Sequence, residues 1–475
     1  MRITISRAFT ELAQRSPDAP AVRDGSDALT RGTLEARSNA LARRYRDAGV
    51  RTDSFVTVVG GNTVDTVIAT VAVWKAGATP QPLSPRLPAP ERQKVLDLVD
   101  PALVVSDEPV AGRTWMPLDG AGDPASDTDA RPLEDHAAAS WKAPTSSGST
   151  GTPKVVVAAA SAHVDPDGRV AEFVPRHATQ LVAGPLHHAA PFVYAMRGLM
   201  TGHALVLMPR FDAAAWLDTV VSARATWGML VPTMMSRIMA LGPELFADAD
   251  VTSLDSVLHI GAVCPPHVKR SWIRWLGPDR VVEVYSGTES NGLAMIRGDE
   301  WLQHPGSVGR PIGGTTIRIV RPDGRAAGIG ETGRIEMTRP GAATYRYLGR
   351  GVPAQDSWHS LGDSGHLDHD GYLYIADRND DLIVSGGVNV WPAAVESTLE
   401  RHPAVRTCVV VGKPDPDFGQ RVHAVVDVGT SSVSREQLDD WAASAFTPDE
   451  RPRSWTIVHA PIRDDTGKVR RRAWR

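Results

Sequence analysis

The chain has 475 residues, a length that suits about three domains, with 42% apolar and 22% charged residues and a formal net charge of −4. That balance gives no global reason to expect a nucleic-acid partner, and two distant cysteines, Cys264 and Cys408, exclude a disulfide framework or a cysteine-built zinc site. No stretch is apolar for long enough to cross a bilayer and the N-terminus lacks an apolar signal core, so no membrane span and a cytoplasmic location are expected.

In chain order, residues 31–49 read as an amphipathic helix, with Leu34, Leu41, Tyr45 and Ala48 on one stripe and Gly49 at its end. A strand follows at 54–60, then a helix that Asn62 is placed to cap and Gly77 to end. Residues 88–100 read as helix and 102–106 as strand. The stretch 107–140 is acidic, loop-like and without periodicity, which predicts a poorly structured surface excursion. Strand patterns resume at 203–208, 226–231, 257–261 and 281–285, with helical patterns between the first two and after Pro232. Such alternation predicts parallel sheets covered by helices. Beyond about 305, β-branched residues alternate with turn signals, as in 315–338, which predicts antiparallel strands. From 380 the order is strand, helix, strand, strand, helix, strand. The expected fold class is therefore a large α/β N-terminal domain, residues 1–379, with helix-covered sheets and a small antiparallel β region, followed by a small α+β C-terminal domain, residues 380–475.

Residues 145–154, TSSGSTGTPK, suit neither a packed helix nor a strand. Gly148 and Gly151 permit close backbone approach to a ligand, and successive N–H groups in such a turn form an anion nest. Thr145, Ser146, Ser147, Ser149, Thr150 and Thr152 add hydroxyls, and Lys154 adds a positive charge. A polyphosphate cradle and a polar surface linker both fit the loop taken alone. A Walker loop is excluded, because Pro153 stands where its second glycine belongs, and a G-x-S-x-G elbow fails at Ser147. The string LGDSGH at 361–366 echoes a serine-protease motif, which α/β alternation and two isolated cysteines argue against.

Four further motifs accompany the loop: PLHHAAPF (185–192), VYSGTE (284–289), the run 358–392 and DDTGKVRR (464–471). Their order and spacing resemble the adenylate-forming superfamily of acyl-CoA synthetases, adenylation domains and luciferases, most nearly the small bacterial acyl- or aryl-CoA ligases. The resemblance runs over nearly the whole chain. It implies ATP, Mg²⁺ and CoA as ligands, with the 145–154 loop around the β- and γ-phosphates. It also implies Thr288 at the α-phosphate, Glu289 as metal ligand, and Gly261, Ala262 and Val263 flanking adenine with Tyr285 against the ring. Asp363 would accept the ribose hydroxyls beside Arg378, and Asp380 would be the hinge of a mobile C-terminal domain. Lys468 would contact carboxylate and phosphate during adenylation; after rotation Gly386 and Gly387 would line a pantetheine tunnel. His188 would wall and gate the acid pocket, with His187 left undecided.

If 226–231 is a strand, Trp227 and Met229 share a face. With His188, Ala189 and Tyr285 they would form an apolar, aromatic-tinged wall, which points to an aryl or polycyclic acid as the small-molecule substrate. Cys264 reads as a small buried residue rather than a nucleophile. Val155 departs from the glycine that usually follows the loop lysine. Two alternatives remain. The adenylate could pass to a carrier protein or an aryl amine, including nitrite activation for diazotisation, or the chain could be a non-enzymatic homologue. A monomer or homodimer is expected.

Overall fold

The computed structural model describes the chain except for residues 26, 120–128, 147–153, 243–248, 342, 355, 379–380, 382, 386–387, 449, 464–468 and 470, and except for the side chains of residues 377, 378, 389 and 472. A helix with hardly a polar face must be covered on all sides. Val64–Lys75 is such a helix, with every residue but Asp65 buried. It lies in one core with residues of two sheets, Val56, Val58, Leu103 and Val105 from one and Val22, Val182 and Leu205 from the other. Its one cationic residue, Lys75, is matched inside that core by Glu35 at 2.7 Å. Thr63, not Asn62, caps the helix by accepting from the Thr66 N–H. Asn62 is buried instead and ties loops together: its amide donates to the carbonyls of Gly184 and Met208, both at 3.0 Å, and its Oδ1 accepts from Leu186 N at 2.8 Å. Gly77 follows the helix with φ +82°, the left-handed turn expected there.

The four-stranded sheet is parallel and contains Thr79–Leu83, Phe55–Val59, Leu103–Ser106 and Trp115–Met116. The thirteen-stranded sheet has a parallel half built from Pro20–Arg23, Ala204–Leu207, Thr179–Val182, Trp227–Leu230, Ser256–Ile260 and Val281–Ser286. It then turns antiparallel through Leu293–Arg297, Ser307–Pro311, Leu373–Arg378, Asp363–Leu367, Gly333–Thr338 and Thr316–Val320. A separate five-stranded sheet has Gly419–Asp427 at its centre, with Thr407–Asp415 paired along one edge, and the helices Pro392–Leu399 and Arg435–Ala445 beside it. Its own core includes Val395, Leu399, Val410, Val422, Ala424 and Val426. This is the large α/β domain and small C-terminal domain that the patterning predicts.

The stretch 107–140 differs from a loose excursion where it is described. Trp115–Met116 extends the parallel sheet, Leu118 and Ala138 are buried, and the carbonyls of Asp129 and Ala130 accept from Arg43 and Asn39 on the helix Arg31–Asp47. Acidic composition concealed backbone groups that are paired.

The antiparallel half curls sharply at two irregularities in register, one between Ser307 and Gly309 and one between Ser364 and Gly365. Both sites need glycine. A Cβ on Gly309 would lie 1.9 Å from the Met295 carbonyl oxygen, and one on Gly365 would lie 2.1 Å from that of Tyr374. Gly309 also has φ +96°. Gly309→Ala is therefore expected to destabilise the protein by about 3 kcal/mol, combining backbone strain with overpacking. Gly330→Ala, at φ +75° with nothing near the added carbon, isolates the strain and should cost about 1 kcal/mol. Chemical denaturation of the two variants measures the difference.

Candidate functional site

In open α/β sheets ligands collect outside the carboxyl ends of the parallel strands. Here the parallel pairing sets Ile260 beside Val284, so Gly261–Val263 and the strand end Tyr285–Ser286 with Gly287–Glu289 beyond it lie side by side at that end. Both segments line an open cleft of about 2380 Å³. Gly261 turns at φ +94°, and Val263 is half exposed.

The Tyr285 hydroxyl donates to Asp363 Oδ2 at 2.7 Å. These residues stand on strands four places apart in the sheet. At about 4.8 Å per strand a flat sheet would separate them by roughly 19 Å, so the curl is what brings them together. Asp363 is buried, and its backbone pairs in register with Arg378, whose side chain lies outside the described set.

A second group forms around Glu289. Its Oε1 accepts from the Tyr347 hydroxyl at 2.7 Å, and its carbonyl accepts from Thr344 Oγ1 at 3.0 Å. The Lys154 ammonium stands over the Tyr347 ring, 5.3 Å from its centroid. Burial and the Glu289 charge both raise the Tyr347 phenol above its ordinary range, so it stays a donor. Sheet pairing explains the convergence. Lys154–Ala158 lies between Thr145–Ser146 and Tyr345–Tyr347, with Ser146 opposite Lys154 and Val156 opposite Tyr347. Val155 is a fully buried strand residue, so glycine's freedom is not needed there. Ser147, Gly148, Ser149, Thr150 and Gly151 lie outside the described residues, as do Asp380, Gly386, Gly387 and Lys468. Thr145 at the loop's entry accepts from Gln81 Nε2 at 3.0 Å.

The opposite wall comes from the helix Ala189–Met200, for which His188 is the N-terminal boundary residue. The His187 and His188 rings lie 4.5 Å apart, and both line the cleft with Ala189 and Met229. Trp227 does not. It is fully buried, with Tyr194 edge-on to it at 5.8 Å, so it supports the wall from behind. A two-residue period gives the shared face with Met229 but not the depth along the strand.

Two basic residues on this wall are absent from the sequence reading. Lys142 is buried and donates to the Thr288 carbonyl at 3.4 Å, and Arg197 opens onto the cleft. Both sit against Trp141, at 5.6 and 5.2 Å from its ring centroid. Burial, then the Arg197 charge, pull Lys142 down to about 8, against a smaller opposing pull from Glu289. Arg197 is exposed to solvent in the cleft, and desolvation by the protein around its guanidinium lowers it from arginine's usual range. Burial raises the Cys264 thiol, which is inert as a nucleophile in that state.

The small domain meets the cleft through Glu396, Arg463 and Arg471. Glu396 receives Arg471 at 3.0 Å, Arg463 at 3.4 Å and the Val410 N–H at 2.7 Å. Asp381, beside the expected hinge, receives Arg475 at 2.8 Å and pairs with Arg471 at 3.2 Å. The segment carrying Lys468 is thus bracketed by two arginines fixed to one carboxylate.

The chain belongs to the AMP-binding enzyme family, which it matches over residues 9–347, with the AMP-binding enzyme C-terminal domain matched over 394–468. It is an AMP-forming ligase of the acyl-CoA synthetase kind. A feruloyl-CoA synthase of an Amycolatopsis species is 32% identical over 96% of this chain and 95% of its own. An o-succinylbenzoate CoA synthetase from Bacillus subtilis, solved with the acyl-adenylate intermediate OSB-AMP, superposes with TM-score 0.84 at 23% identity, covering 100% of this chain and 98% of that one. An amide bond synthetase from Marinactinospora thermotolerans has the same fold, with TM-score 0.80 at 23% identity over 100% and 99% of the two chains. No helix among the described residues is long and apolar enough to cross a membrane.

The Lys142 shift predicts a pH dependence. Its folded value, about 8, lies below the ordinary 10.5. Below pH 8 the folded state carries the whole cost of a buried ammonium. Between pH 8 and 10.5 the unfolded chain binds more protons, so this contribution to stability rises with pH. Lys142→Met is expected to be more stable than the parent by about 3 kcal/mol at pH 7, with the gap narrowing towards pH 10. Urea denaturation of both proteins at the two pH values measures it.

Proposed function

We propose that the protein is an ATP-dependent acid:CoA ligase that adenylates a carboxylate, releases pyrophosphate and passes the acyl group to CoA. The observation that carries this reading is the meeting, in one cleft at the carboxyl ends of the parallel strands, of the Tyr285–Asp363 pair with the Glu289–Tyr347–Lys154 group. The 32% identity to a feruloyl-CoA synthase along nearly the full chain supports CoA as acceptor.

On this reading Tyr285 and the 261–263 segment hold adenine, and Asp363 accepts from the ribose hydroxyls beside Arg378. Thr288 orients the α-phosphate. Among the described residues no cluster of three or more His, Cys, Asp or Glu forms a metal cage. The single carboxylate of Glu289 fits Mg²⁺ that arrives with the nucleotide, since that ion keeps waters and phosphate oxygens as most of its ligands. Mg²⁺ supplies charge neutralisation at the phosphates. Lys154, with the hydroxyls and N–H groups of residues 145–151, grips the leaving pyrophosphate. Lys468 neutralises charge where the acid meets the α-phosphate. Rotation about Asp380 then replaces Lys468 with the Gly386–Gly387 loop for thiol entry, a gating step of the hinge kind. His188 and Ala189 border the acid. The domain boundary at 379/380 follows from the same reading.

A second reading keeps adenylation and changes the acceptor to a carrier protein or an amine, nitrite activation included. The two basic groups at Trp141 favour it to the extent that they suit a small anionic acid.

Pyrophosphate release across aromatic, fatty and sterol acids, with and without CoA and with nitrite plus an aryl amine, separates the readings. Acid-dependent release followed by thioester formation is expected. Release that needs no acid would contradict adenylation, and release without thioester would favour the second reading. Glu289→Gln should lower kcat for adenylation by about 10²–10³-fold. Lys468→Ala should abolish adenylation while largely sparing thioester formation from a supplied acyl adenylate, read in separate half-reaction assays.

A further inference from the structure

We propose, resting on the ligase reading above, that the acid activated here carries a second anionic group, a carboxylate or sulfonate, received by Arg197 at the Trp141 end of the pocket while Lys142 faces the reacting end.

Among the described residues, the other buried lysines are matched by carboxylates. Lys75 meets Glu35 at 2.7 Å, and Lys269 meets Glu283 inside the second core. That is the general rule, because an unpaired charge away from bulk water is costly. Lys142, buried at Trp141, breaks the pattern, and Arg197 beside the same ring is exposed to the cleft. Among the described residues no carboxylate forms an ion pair with either, although each lies against the same indole ring. Among the described residues, the charged groups acting on Arg197 are Arg2 and Arg339, both of its own sign, and the one acidic group is the Tyr194 phenol, which burial keeps protonated. Lys142 feels Arg197 and Glu289, and Glu289 is already engaged by Tyr347. Glu172 lies on the same cleft wall but is not among the groups acting on either cation.

The two cations also differ in place. Lys142 reaches the Thr288 carbonyl, next to Glu289, so it stands where the reacting carboxylate meets the nucleotide. Arg197 stands on the helix Ala189–Met200, one turn beyond Tyr194, which packs on the buried Trp227. A guanidinium there offers a planar fork to a carboxylate or sulfonate, and the Trp141 ring holds its face. Met229 and Ala189 add apolar surface to the same cleft. An uncharged aryl tail would leave Arg197 facing the pocket without a counter-ion.

The test uses the full chain and titration calorimetry with phthalate, isophthalate and terephthalate, each compared with its monomethyl ester. At least one diacid is expected to bind about tenfold or more tightly than its ester. Arg197→Met should bring that ratio close to one, and Arg197→Lys should restore part of it. Thermal melting checks that the variants fold, and Arg197→Gln takes the place of Arg197→Met should the latter not fold. Equal binding of diacid and ester in every pair, binding of neither member of any pair, or a preference that survives the loss of the guanidinium would overturn the assignment. Pyrophosphate release measured in parallel reports on the ligase reading by itself. Acid-independent release would remove that reading while leaving the binding ratio to be judged on its own.

Discussion

The contact between Tyr285 and Asp363 depends on the whole curvature of the large sheet. One residue ends a parallel strand and the other begins an antiparallel one four places away. They meet because the antiparallel half coils back over the strand ends, and it can coil because Gly309 and Gly365 let neighbouring backbones approach closer than any Cβ would allow. The curl therefore converts a linear order of strands into a cleft with two sides. Without it the residues of the nucleotide end would be spread along a flat edge.

Charge is distributed in that cleft with a clear division. Carboxylates are held by neutral donors: Asp363 by a phenol, Glu289 by another. A carboxylate held by one phenol has oxygen lone pairs left to accept from a hydroxyl or to ligate a metal. The cations Lys154, Lys142 and Arg197 lie against aromatic rings rather than against acids. An aromatic face steadies a cation without cancelling it. The site thus presents charge of both signs, which suits a substrate that brings phosphates, a divalent cation and a carboxylate together. In the small domain the opposite holds: Arg463 and Arg471 are spent on Glu396, which fixes the chain at those two positions.

Much of this was legible in the sequence, for physical reasons that differ by element. The parallel strands announced themselves as short β-branched runs between helical patterns, and the loop at 145–154 by a composition that no packed element tolerates. Tyr285, Glu289 and Asp363 were visible as parts of ordered motifs. Lys142 and Arg197 were not. A lysine between Trp141 and Ala143 has no periodicity to mark it as buried, and its role depends on a strand end, Thr288, that is distant in sequence. Arg197 did leave a trace, as the single charged residue in the apolar helix Ala189–Met200. Trp227 was misplaced because alternation reports a face and not how far along the strand the cleft reaches. Asn62 was misplaced because Thr63 serves the cap and frees the amide for three loops.

The central claim is that an oxygen of the acid attacks the α-phosphate of ATP in this cleft. Turnover with an acid labelled with ¹⁸O in both carboxylate oxygens, followed by mass spectrometry of the nucleotide product, tests it most directly. The acyl-adenylate bridge comes from the acid, and it leaves with the nucleotide when the acceptor attacks the acyl carbon. The account predicts AMP carrying one ¹⁸O. Unlabelled AMP, or ADP as the nucleotide product, would contradict it.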